Sequence, residues 1–302
     1  MRLAMIGLGK MGANMARRLC RSGIEVVGYN RSPEITQTLA KEEGLIAATS
    51  LDEVLAKLTA PRYVWVMLPA GETTEQTIQT LQSKLTAKDV IIDGGNNNYQ
   101  DSMRRGAMLA QHGIGFIDAG TSGGIWGLEN GYCMMVGGEH RDVDPLIPVL
   151  KALAPSPDHG WAHVGPIGAG HFTKMVHNGI EYGMMQAMAE GLALLKGKQE
   201  FNLDLAQVTE LWRHSSVVRS WLLDLTAEFL AKDQTLSHIA PYVADSGEGR
   251  WTVNEGILQG IATPVLALAL HMRFASQDQE GYTNKLLAMM RNAFGGHNVK
   301  DK

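Results

Sequence analysis

Short, continuous apolar runs alternate with amphipathic segments along the first half of the chain. The runs are rich in Val, Ile and aromatic residues and are bounded by Gly, Pro or Asn, which is typical of buried strands. We predict strands at residues 3–6, 25–29, 63–68, 90–93 and 114–118. Helical patterns lie between them, at residues 11–21, 51–58, 73–85 and 100–111. This alternation predicts an α/β fold in which helices cover both faces of a doubly wound parallel sheet.

The strand signal stops near residue 165, and helical patterns follow it. We predict helices at residues 169–196, 203–215, 219–232 and 264–275. The Gly- and Pro-rich stretch 155–168 indicates a joint between the two halves. The sequence therefore predicts two domains, an α/β domain over residues 1–165 and an all-helical C-terminal domain over residues 166–302.

Composition and charge exclude several classes of protein. Of the 302 residues, 45% are hydrophobic and 19% are charged, which suits a large folded core. A net charge of -4 provides no global field that would attract nucleic acid. The chain begins on a strand and a glycine turn rather than a signal peptide, and the apolar run 257–272 is too short and too interrupted to cross a membrane. Two cysteines, Cys20 and Cys133, cannot form a disulfide framework, so we expect a cytoplasmic enzyme.

A glycine motif of the form G-x-G-x-x-G follows the first predicted strand. It consists of Gly7, Leu8, Gly9, Lys10, Met11 and Gly12. The first glycine permits a tight turn, the second lets the backbone approach a pyrophosphate, and the third lets the helix pack close to the sheet. Any glycine-rich turn can match this pattern by chance. Its position in a βαβ unit nevertheless predicts a Rossmann-like dinucleotide-binding site.

The end of the second predicted strand indicates which dinucleotide binds. Enzymes that use NAD usually carry a carboxylate there for the ribose hydroxyls, whereas this strand ends on Asn30, Arg31 and Ser32. The Arg31 guanidinium suits a 2′-phosphate, and the two polar side chains beside it supply hydrogen bonds. The alternative is that Arg31 is an ordinary solvated arginine in a turn. We predict NADP as the cofactor, with NAD as the weaker alternative.

A polar stripe marks the long helix predicted after residue 169. Lys174, His177, Asn178 and Glu181 lie at positions i, i+3, i+4 and i+7, and therefore share one helix face. A lysine and a glutamate two turns apart, with a histidine and an asparagine between them, form a compact acid/base set. The alternative is the solvated polar face of a surface helix. We favour a catalytic role.

Further glycines support a ligand site near this helix. Gly170, Gly179 and Gly183 lower helix stability, which suggests that something approaches the helix closely. The segments 122–124 and 93–98 also carry glycines, each at the carboxyl end of a predicted strand, where open α/β sheets bind ligands. Taken alone, such segments are equally compatible with flexible loops.

Together these motifs resemble those of the 6-phosphogluconate dehydrogenases. The matching segments run from end to end of the chain, at residues 7–12, 30–32, 92–96, 122–124, 170–182, 250–252 and 291–297. The string Lys-Met-Val-His-Asn-Gly-Ile-Glu-Tyr at residues 174–182 is highly specific for this family. In the wider β-hydroxyacid dehydrogenase group, Asn-Asn usually replaces His177 and Asn178, and the glutamate is absent.

The resemblance implies the oxidative decarboxylation of 6-phosphogluconate to ribulose 5-phosphate and CO2, a step of the oxidative pentose phosphate pathway. Lys174 would take the proton of the substrate's 3-hydroxyl while a hydride passes to NADP, so we expect a lowered lysine pKa. Glu181 would then protonate C1 of the enediol, and Asn178 would bond the reacting hydroxyl. No metal is expected, because the ten histidines show no metal-ligand spacing.

The resemblance also assigns binding residues. The cofactor would contact the glycine motif, residues 30–32, Leu68 and Asn96. The remaining residues are implied for the substrate: Asn96, Ser122, Gly123, Gly124, His177, Asn178, Tyr182, Arg250, Arg273, Arg291 and His297. In this family the arginine and histidine of the tail come from the neighbouring subunit, which implies a homo-oligomer, either a dimer or a tetramer.

Two departures and two alternatives accompany this interpretation. The chain is too short for the duplicated helical domain of the longer family members, so it is similar to the short bacterial form. Arg250 stands where the longer enzymes have a lysine, which keeps the charge and changes the geometry. One alternative function is a β-hydroxyacid dehydrogenase for a small non-phosphorylated acid. The other is a catalytically silent NADP sensor, although such a protein would be expected to have lost Lys174 or Glu181.

Overall fold

The computed structural model describes residues 1–300 and divides the chain into two compact units, Met1–His177 and a unit that begins at Asn178. The strands all lie in the first unit: β1 (Arg2–Ile6), β2 (Glu25–Tyr29), β3 (Ile46–Ala47), β4 (Tyr63–Val66), β5 (Val90–Asp93), β6 (Gly115–Ser122), β7 (Cys133–Gly138) and β8 (Trp161–Gly165). Its helices are α1 (Lys10–Arg21), α2 (Pro33–Glu43), α3 (Leu51–Ala56), α4 (Glu72–Gln82), α5 (Tyr99–Ala110), α6 (Gly127–Asn130), α7 (His140–Val143) and α8 (Ile147–Leu153).

The long helix α9 (Ala169–Gly197) runs from the first unit into the second. The second unit continues with α10 (Leu205–Trp212), α11 (Trp221–Leu230), α12 (Glu248–Gln259), α13 (Pro264–Gln277) and α14 (Tyr282–Gly295). An α/β domain followed by helices is confirmed as the fold class. The domain boundary at residue 165 stays a prediction, because α9 belongs to both units.

The eight strands form one sheet in the order β3-β2-β1-β4-β5-β6-β7-β8. Strand β1 pairs in parallel with both β2 and β4, so the chain order reverses on either side of it. In open α/β sheets such a reversal leaves a crevice outside the carboxyl ends of the strands, where ligands bind. The glycine motif follows β1 directly and therefore lies at this crevice.

One strand pair departs from the predicted parallel sheet. Strands β6 and β7 are antiparallel, with Ser122 opposite Cys133. Residues 123–132 connect them, and this connection is too short for the crossover that a parallel pair needs. The sequence pattern missed the short strand β3 and the last two strands. Strand β7 contains two glycines and β8 alternates in burial, so neither is a continuous apolar run.

The apolar core lies on both faces of the sheet, which explains why the strands are apolar throughout. On β1, Leu3 and Met5 belong to one buried cluster, whereas Ala4 and Ile6 belong to the other. Successive side chains of a strand point to opposite faces, so a sheet covered on both sides buries every position.

The start of α9 is held by a buried carboxylate on β6. Asp118 accepts hydrogen bonds from the backbone N–H groups of Gly168 and His171, both at 2.7 Å. These are N–H groups that the first turn of a helix leaves without an internal partner. Hydrogen bonds to a charged group contribute about 1.5–3 kcal/mol each. Asp118 therefore fixes where α9 begins with respect to the sheet.

The glycines of α9 allow parts of the protein itself to approach the helix. A Cβ on Gly170 would lie 2.3 Å from the carbonyl oxygen of Asp118, and one on Gly179 would lie 2.6 Å from a side-chain carbon of Thr252. At both positions the group that approaches the helix closely belongs to the protein itself. They serve the packing of α9 against β6 in the first unit and against α12 in the second.

The regular secondary structure of the second unit's described residues is entirely helical, with loops between the helices. Buried Tyr182 packs with Ala269 and Leu270 of α13. Helices α12 and α14 were not predicted, although α14 carries Leu287, Met290 and Phe294 at helical spacing. No helix within residues 1–300 has the length and the apolar character that crossing a lipid bilayer requires.

Candidate active site

The glycine motif forms a tight turn from β1 into α1. Gly7 has a φ angle of 91°, and a Cβ there would lie 2.4 Å from the carbonyl oxygen of Met67. A Cβ on Gly12 would lie 2.0 Å from the carbonyl oxygen of Gly7. Gly9 caps α1 without a side chain, and the first turn of α1 carries no acidic residue. The positive end of the helix is therefore open to an anion such as a pyrophosphate.

Asn30 connects the end of β2 to the glycine motif. Its side-chain oxygen accepts a hydrogen bond from the backbone N–H of Leu8 at 3.0 Å, and its amide donates to the carbonyl of Ser32 at 3.1 Å. The first bond ties the end of β2 to the glycine turn, and the second closes the turn at residues 30–32. Arg31 and Ser32 are exposed, and the hydroxyl of Ser32 does not cap α2. These two side chains are the ones available for a 2′-phosphate.

Leu68 and the loop after β5 lie beside the glycine turn. A Cβ on Gly7 would lie 2.8 Å from the Leu68 side chain, and one on Gly95 would lie 2.6 Å from the Leu68 carbonyl oxygen. Asn96 follows Gly95 and is exposed. The structure therefore brings together three of the segments that the resemblance assigns to the cofactor.

A buried charge network shapes the loop that carries Asn96. Asp93 accepts hydrogen bonds from the Asn97 amide at 2.8 Å and from Arg105 at 3.1 Å. Arg105 also donates to Glu75 at 2.9 Å. Hydrogen bonds from Arg104 and Arg105 outweigh the effect of burial and lower the pKa of Glu75 to about 2. This network was not predicted, because it joins four elements that are distant in sequence.

The loop after β6 rests on a buried tyrosine. Ser122 ends β6, and Gly123 and Gly124 follow with φ angles of 135° and 53°. The Tyr132 ring lies so close below the loop that a Cβ on Gly127 would approach it to 2.0 Å. Burial raises the pKa of Tyr132 to about 12, and its hydroxyl has no hydrogen-bond partner within residues 1–300. Tyr132 therefore supports the loop by packing, a role that no sequence motif revealed.

Lys174 lies directly above β6. A Cβ on Gly120 would lie 2.4 Å from the Cβ of Lys174, so the lysine stem needs a glycine beneath it. Lys174 is buried, with 8% of its surface exposed. Its Nζ lies 3.4 Å from Nδ1 of His177. The first unit thus places a buried amine two residues along β6 from Ser122.

A buried histidine, His171, lies one turn before the lysine. Nδ1 of His171 is 2.7 Å from the Ser102 hydroxyl, and its Nε2 has no hydrogen-bond partner in the part of the chain that the structure describes. The ring thereby links α9 to α5. The polar stripe as predicted did not include His171, because it lies inside the first turn of the helix.

Asn178 and Glu181 follow on the same uninterrupted helix. Both are half-buried. At about 3.6 residues per turn, the spacing of Lys174, His177, Asn178 and Glu181 keeps these side chains on one face of α9. The continuous helix therefore places the four residues of the predicted polar stripe on one face.

Tyr182 and Arg273 are neighbours in the second unit. The Arg273 guanidinium lies 3.4 Å from the centre of the Tyr182 ring, and it donates to the carbonyl of Ala244 at 2.7 Å. The Tyr182 hydroxyl is 3.3 Å from the Ser246 hydroxyl, which donates to Glu248 at 2.5 Å. Arg273 is therefore held in place by an aromatic face and a carbonyl.

Arg250 lies near the same loop. Its guanidinium carbon is 4.5 Å from the centre of the Phe274 ring, and its Nε donates to the carboxylate of Asp245. The structure thus collects Tyr182, Arg250 and Arg273 around residues 244–250. We call this set the arginine cluster.

Arg291 and His297 do not join the arginine cluster in the described chain. Arg291 lies on α14, which buries none of its residues, and His297 lies in the exposed segment after it. His297 contacts Phe294, and its carbonyl accepts a hydrogen bond from Asn292 at 2.9 Å. Within residues 1–300, no group of three or more His, Cys, Asp or Glu side chains is placed to hold a metal ion.

Two family models match the chain. One is described as the NAD binding domain of 6-phosphogluconate dehydrogenase and matches residues 2–165. The other is described as the C-terminal domain of 6-phosphogluconate dehydrogenase and matches residues 170–301. The N-terminal part is therefore an NAD(P)-binding domain.

Individual relatives give the same result. A Bacillus subtilis protein that is named provisionally as a 6-phosphogluconate dehydrogenase is 40% identical over 302 residues, which is 100% of both chains. The NAD(+)-dependent, decarboxylating 6-phosphogluconate dehydrogenase of Haloferax volcanii is 38% identical, over 100% of this chain and 99% of the relative. The solved Plasmodium falciparum 6-phosphogluconate dehydrogenase, described in its apo form and with NADP+ or 6-phosphogluconate, has a TM-score of 0.84 and 29% identity, and the match covers 100% of this chain and 66% of that one.

The close approach of Lys174 to β6 gives a testable expectation. Replacing Gly120 by Ala would force the lysine stem and the helix away from the strand, because the new Cβ would overlap with Lys174. We expect the free energy of unfolding to fall by about 1–3 kcal/mol, as measured by urea denaturation. The matched control is Gly191→Ala on α9, where a Cβ meets no atom within 4 Å. That change should stabilise the protein by about 0.5–1 kcal/mol. A Gly120→Ala protein as stable as the parent would contradict the packing described here.

Proposed function

The chain belongs to the 6-phosphogluconate dehydrogenase family, and we propose that it converts 6-phosphogluconate and NADP to ribulose 5-phosphate, CO2 and NADPH. The observation that carries this proposal is the pairing of a buried lysine with a glutamate two turns along one helix. Lys174 and Glu181 occupy these positions on α9. Oxidation alone requires a base, whereas decarboxylation also requires an acid that returns a proton to carbon.

In the proposed mechanism, Lys174 accepts the proton of the substrate's 3-hydroxyl. Proton transfer to Lys174 requires a neutral amine, and burial favours the neutral form of a lysine. His177, whose Nδ1 lies 3.4 Å from Nζ, orients the amine. Asn178 donates a hydrogen bond to the reacting hydroxyl oxygen. The bound NADP supplies the acceptor for the hydride that leaves C3.

The second half of the proposed reaction uses Glu181. The β-keto acid formed by oxidation loses CO2 readily, because the new carbonyl accepts the electrons of the breaking C–C bond. The carboxyl group of Glu181 then donates a proton to C1 of the enediol. The departing carboxylate is held beforehand by Ser122 and by the backbone N–H groups of Gly123 and Gly124. Tyr132 keeps this loop in shape from below.

The arginine cluster is the proposed site for the substrate's phosphate. Arginine binds phosphate through two parallel hydrogen bonds, and the Tyr182 face and the Ala244 carbonyl already orient Arg273. Arg250, in the first turn of α12, provides a second cation beside residues 244–247. The role of Arg250 as an arginine, where longer relatives carry a lysine, belongs to this proposal.

The preference for NADP rests on Arg31 and Ser32. Both side chains are exposed beside the glycine turn, and Asn30 holds that turn in place. A guanidinium and a hydroxyl at this position suit a 2′-phosphate. Because the Haloferax relative is NAD(+)-dependent, the cofactor has to be tested directly. A cytoplasmic location is part of the same proposal, supported by the free thiols of Cys20 and Cys133.

We further propose a homo-oligomer in which Arg291 and His297 complete the site of a neighbouring subunit. Helix α14 buries none of its residues and exposes Leu287, Met290 and Phe294. An isolated helix of this length is only marginally stable in water. Packing of α14 against a second copy would cover these side chains and explain why Arg291 stands apart from the arginine cluster.

A second candidate function is favoured by one observation. The buried carboxylates of Asp245, just before α12, and of Glu248, at its first residue, lie close in sequence to Arg250. Carboxylates accept hydrogen bonds from hydroxyl groups and repel a phosphate dianion. These two side chains would therefore suit a small non-phosphorylated β-hydroxyacid better than a phosphorylated substrate. This alternative requires Lys174 and has no need of Glu181.

The first prediction concerns substrate and cofactor together. We expect reduction of NADP in the presence of 6-phosphogluconate, followed by the absorbance of the reduced cofactor, with a kcat/KM about tenfold or more above that for NAD. The reason is the charge-assisted bond from Arg31 to the 2′-phosphate. Gluconate should compete far less well than its 6-phosphate. A preference for NAD would refute the cofactor assignment, and equal competition by gluconate would favour the second candidate.

The second prediction concerns Glu181. Replacing it by Gln removes the proposed acid without changing its size, so kcat should fall by about a hundredfold or more. The matched control is Glu190→Gln, an exposed glutamate on the same helix, which should retain full turnover. Unchanged turnover in the Glu181→Gln protein would remove this residue from the mechanism.

The third prediction concerns the oligomer. Sedimentation at assay concentration should show at least a dimer, because α14 needs a partner surface. Replacing Phe294 and Leu287 together by Ser should weaken the association and reduce turnover at the same dilution. A protein that is monomeric and fully active would rule out completion of the site by a neighbour.

A further inference from the structure

Two side chains of α1 hold the loop that follows β6. The Asn14 amide donates a hydrogen bond to the carbonyl of Ile125 at 3.3 Å, and Arg17 donates to the side-chain oxygen of Asn14 at 3.2 Å. One turn further along α1, Nη1 of Arg18 donates to the carbonyl of Leu128 at 3.2 Å. Residues four apart share one face of a helix, so the loop lies along the face of α1 that carries Asn14 and Arg18.

The Arg18 guanidinium also reaches the end of α8. Its Nε donates to the carbonyl of Ala152 at 2.9 Å, and its Nη2 donates to the carbonyl of Ala154 at 2.6 Å. All three carbonyls that Arg18 binds lie in the last turn or at the cap of α6 or α8, where a helix leaves its carbonyl groups without an internal partner. One half-buried cation on α1 therefore joins the ends of two other helices.

The buried Tyr132 lies beside these two helix ends. Its backbone N–H donates at 2.9 Å to the carbonyl of Leu153, the residue between the two α8 carbonyls that Arg18 binds. A Cβ on Gly123 would lie 3.1 Å from the Tyr132 ring, and one on Gly127 would lie 2.0 Å from it. Burial raises the pKa of Tyr132 to about 12 against the opposing charge of Arg18, so the two side chains are close enough to interact. Arg18 thus holds both the loop and the tyrosine that supports it.

We propose that Arg18 is a positioning residue, which sets the distance between the cofactor's pyrophosphate and the loop that holds the substrate's carboxylate. This inference rests on the proposed function, which assigns the N-terminus of α1 to the pyrophosphate and residues 122–124 to the carboxylate. Gly9 caps the helix that carries Arg18, so one rigid element places both ligands. The carbon atoms that exchange the hydride have to approach to about 3–3.5 Å, so a loop that shifts relative to α1 slows the reaction.

Two variants of Arg18 and one of its neighbour test this role. Arg18→Met removes all three hydrogen bonds and keeps an unbranched side chain. Arg18→Lys keeps the charge, but its donors lie on one atom and cannot bind three carbonyls that three separate nitrogens bind, so it should give an intermediate result. The matched control is Arg21→Met on the same helix, because Arg21 donates to Glu43 of α2 at 2.9 and 2.5 Å instead of to the loop. If Arg18→Met does not fold, Arg18→Lys carries the test.

The experiment measures steady-state kinetics and NADP binding for the whole chain, at a temperature well below the Tm of each variant. For Arg18→Met we expect KM for 6-phosphogluconate to rise by about tenfold and kcat to fall by about tenfold, because a misplacement of about 1 Å at a reacting centre costs about a hundredfold in rate. The Kd for NADP, measured by titration without substrate, should change by less than about twofold, since the bond from Leu8 to Asn30 still holds the glycine turn. Arg21→Met should match the unaltered protein in all three quantities.

The division between KM and kcat separates positioning from a merely structural role. A structural role of Arg18 would lower the fraction of folded enzyme and hence kcat, but the remaining folded enzyme would keep the KM of the unaltered protein. That result overturns the inference. A parallel rise of KM for 6-phosphogluconate and of Kd for NADP also overturns it, because the effect would then lie in α1 as a whole. A partial return of KM in Arg18→Lys supports it.

Hydrogen exchange separates the inference from the proposed function, because it needs no turnover. In Arg18→Met the backbone amides of residues 123–131 should exchange about tenfold faster or more, whereas those of residues 13–16 in α1 should keep the rate of the unaltered protein. If this pattern appears and the unaltered protein shows no turnover of 6-phosphogluconate, the placement of the loop by Arg18 stands and the function is wrong. If the unaltered protein turns over 6-phosphogluconate and neither the exchange nor KM changes in the two Arg18 variants, the function stands and the inference is wrong.

Discussion

The hydrogen bonds between a buried carboxylate on β6 and the first turn of α9 determine where Lys174 lies over the sheet. Asp118 accepts the N–H groups of Gly168 and His171 and thereby fixes the start of α9 on β6. This contact also sets the height above the sheet of the α9 residues that belong to the first unit, as far as His177. Lys174 comes to lie over Gly120 for that reason, and the lysine and the loop that follows Ser122 are placed by one strand.

Glycines allow β6 and α9 to pack this closely, and five glycines of the first unit fall into two classes. Gly7, Gly123 and Gly124 adopt backbone angles that other residues avoid, so they shape turns. Gly120 and Gly170 have ordinary backbone angles and lie where any side chain would collide with the facing element. The first class can be recognised from sequence because turns have local signatures. The second class cannot be assigned a partner from sequence, because the facing element is distant along the chain. The glycines of α9 therefore indicate a close approach without indicating which part of the protein makes it.

The same distinction between local and long-range contacts explains which parts of the structure could be predicted from the sequence. The glycine turn and the predicted strands that became β1, β2, β4, β5 and β6 could be predicted because their patterns lie within a few residues. The polar stripe of α9 followed from helical periodicity alone. The Asp93–Arg105–Glu75 network joins segments that only the folded chain brings together. The support of Tyr132 for the Ser122 loop and the pairing of Arg250 with Asp245 join residues that are closer along the chain, but no periodic pattern marks these side-chain contacts. The hydrogen bonds of Asn30 to Leu8 and Ser32 were likewise not apparent from its residue type, and its predicted contact with a phosphate stays a prediction.

Because α9 is one continuous helix, the spacing between the two residues of the proposed chemistry is fixed. From Lys174 to Glu181 the backbone rises by about 10.5 Å at 1.5 Å per residue, and this distance depends on hydrogen bonds inside the helix rather than on the packing of loops. A residue inserted or deleted between these two positions would turn one side chain away from the other by about 100°. Substitutions can accumulate on the outer face of α9 without altering that spacing, whereas a change in its length cannot be absorbed locally. The proposed roles of Lys174 and Glu181 therefore depend on the pitch of one helix, whereas the lengths of the surrounding loops do not affect the spacing of these two residues.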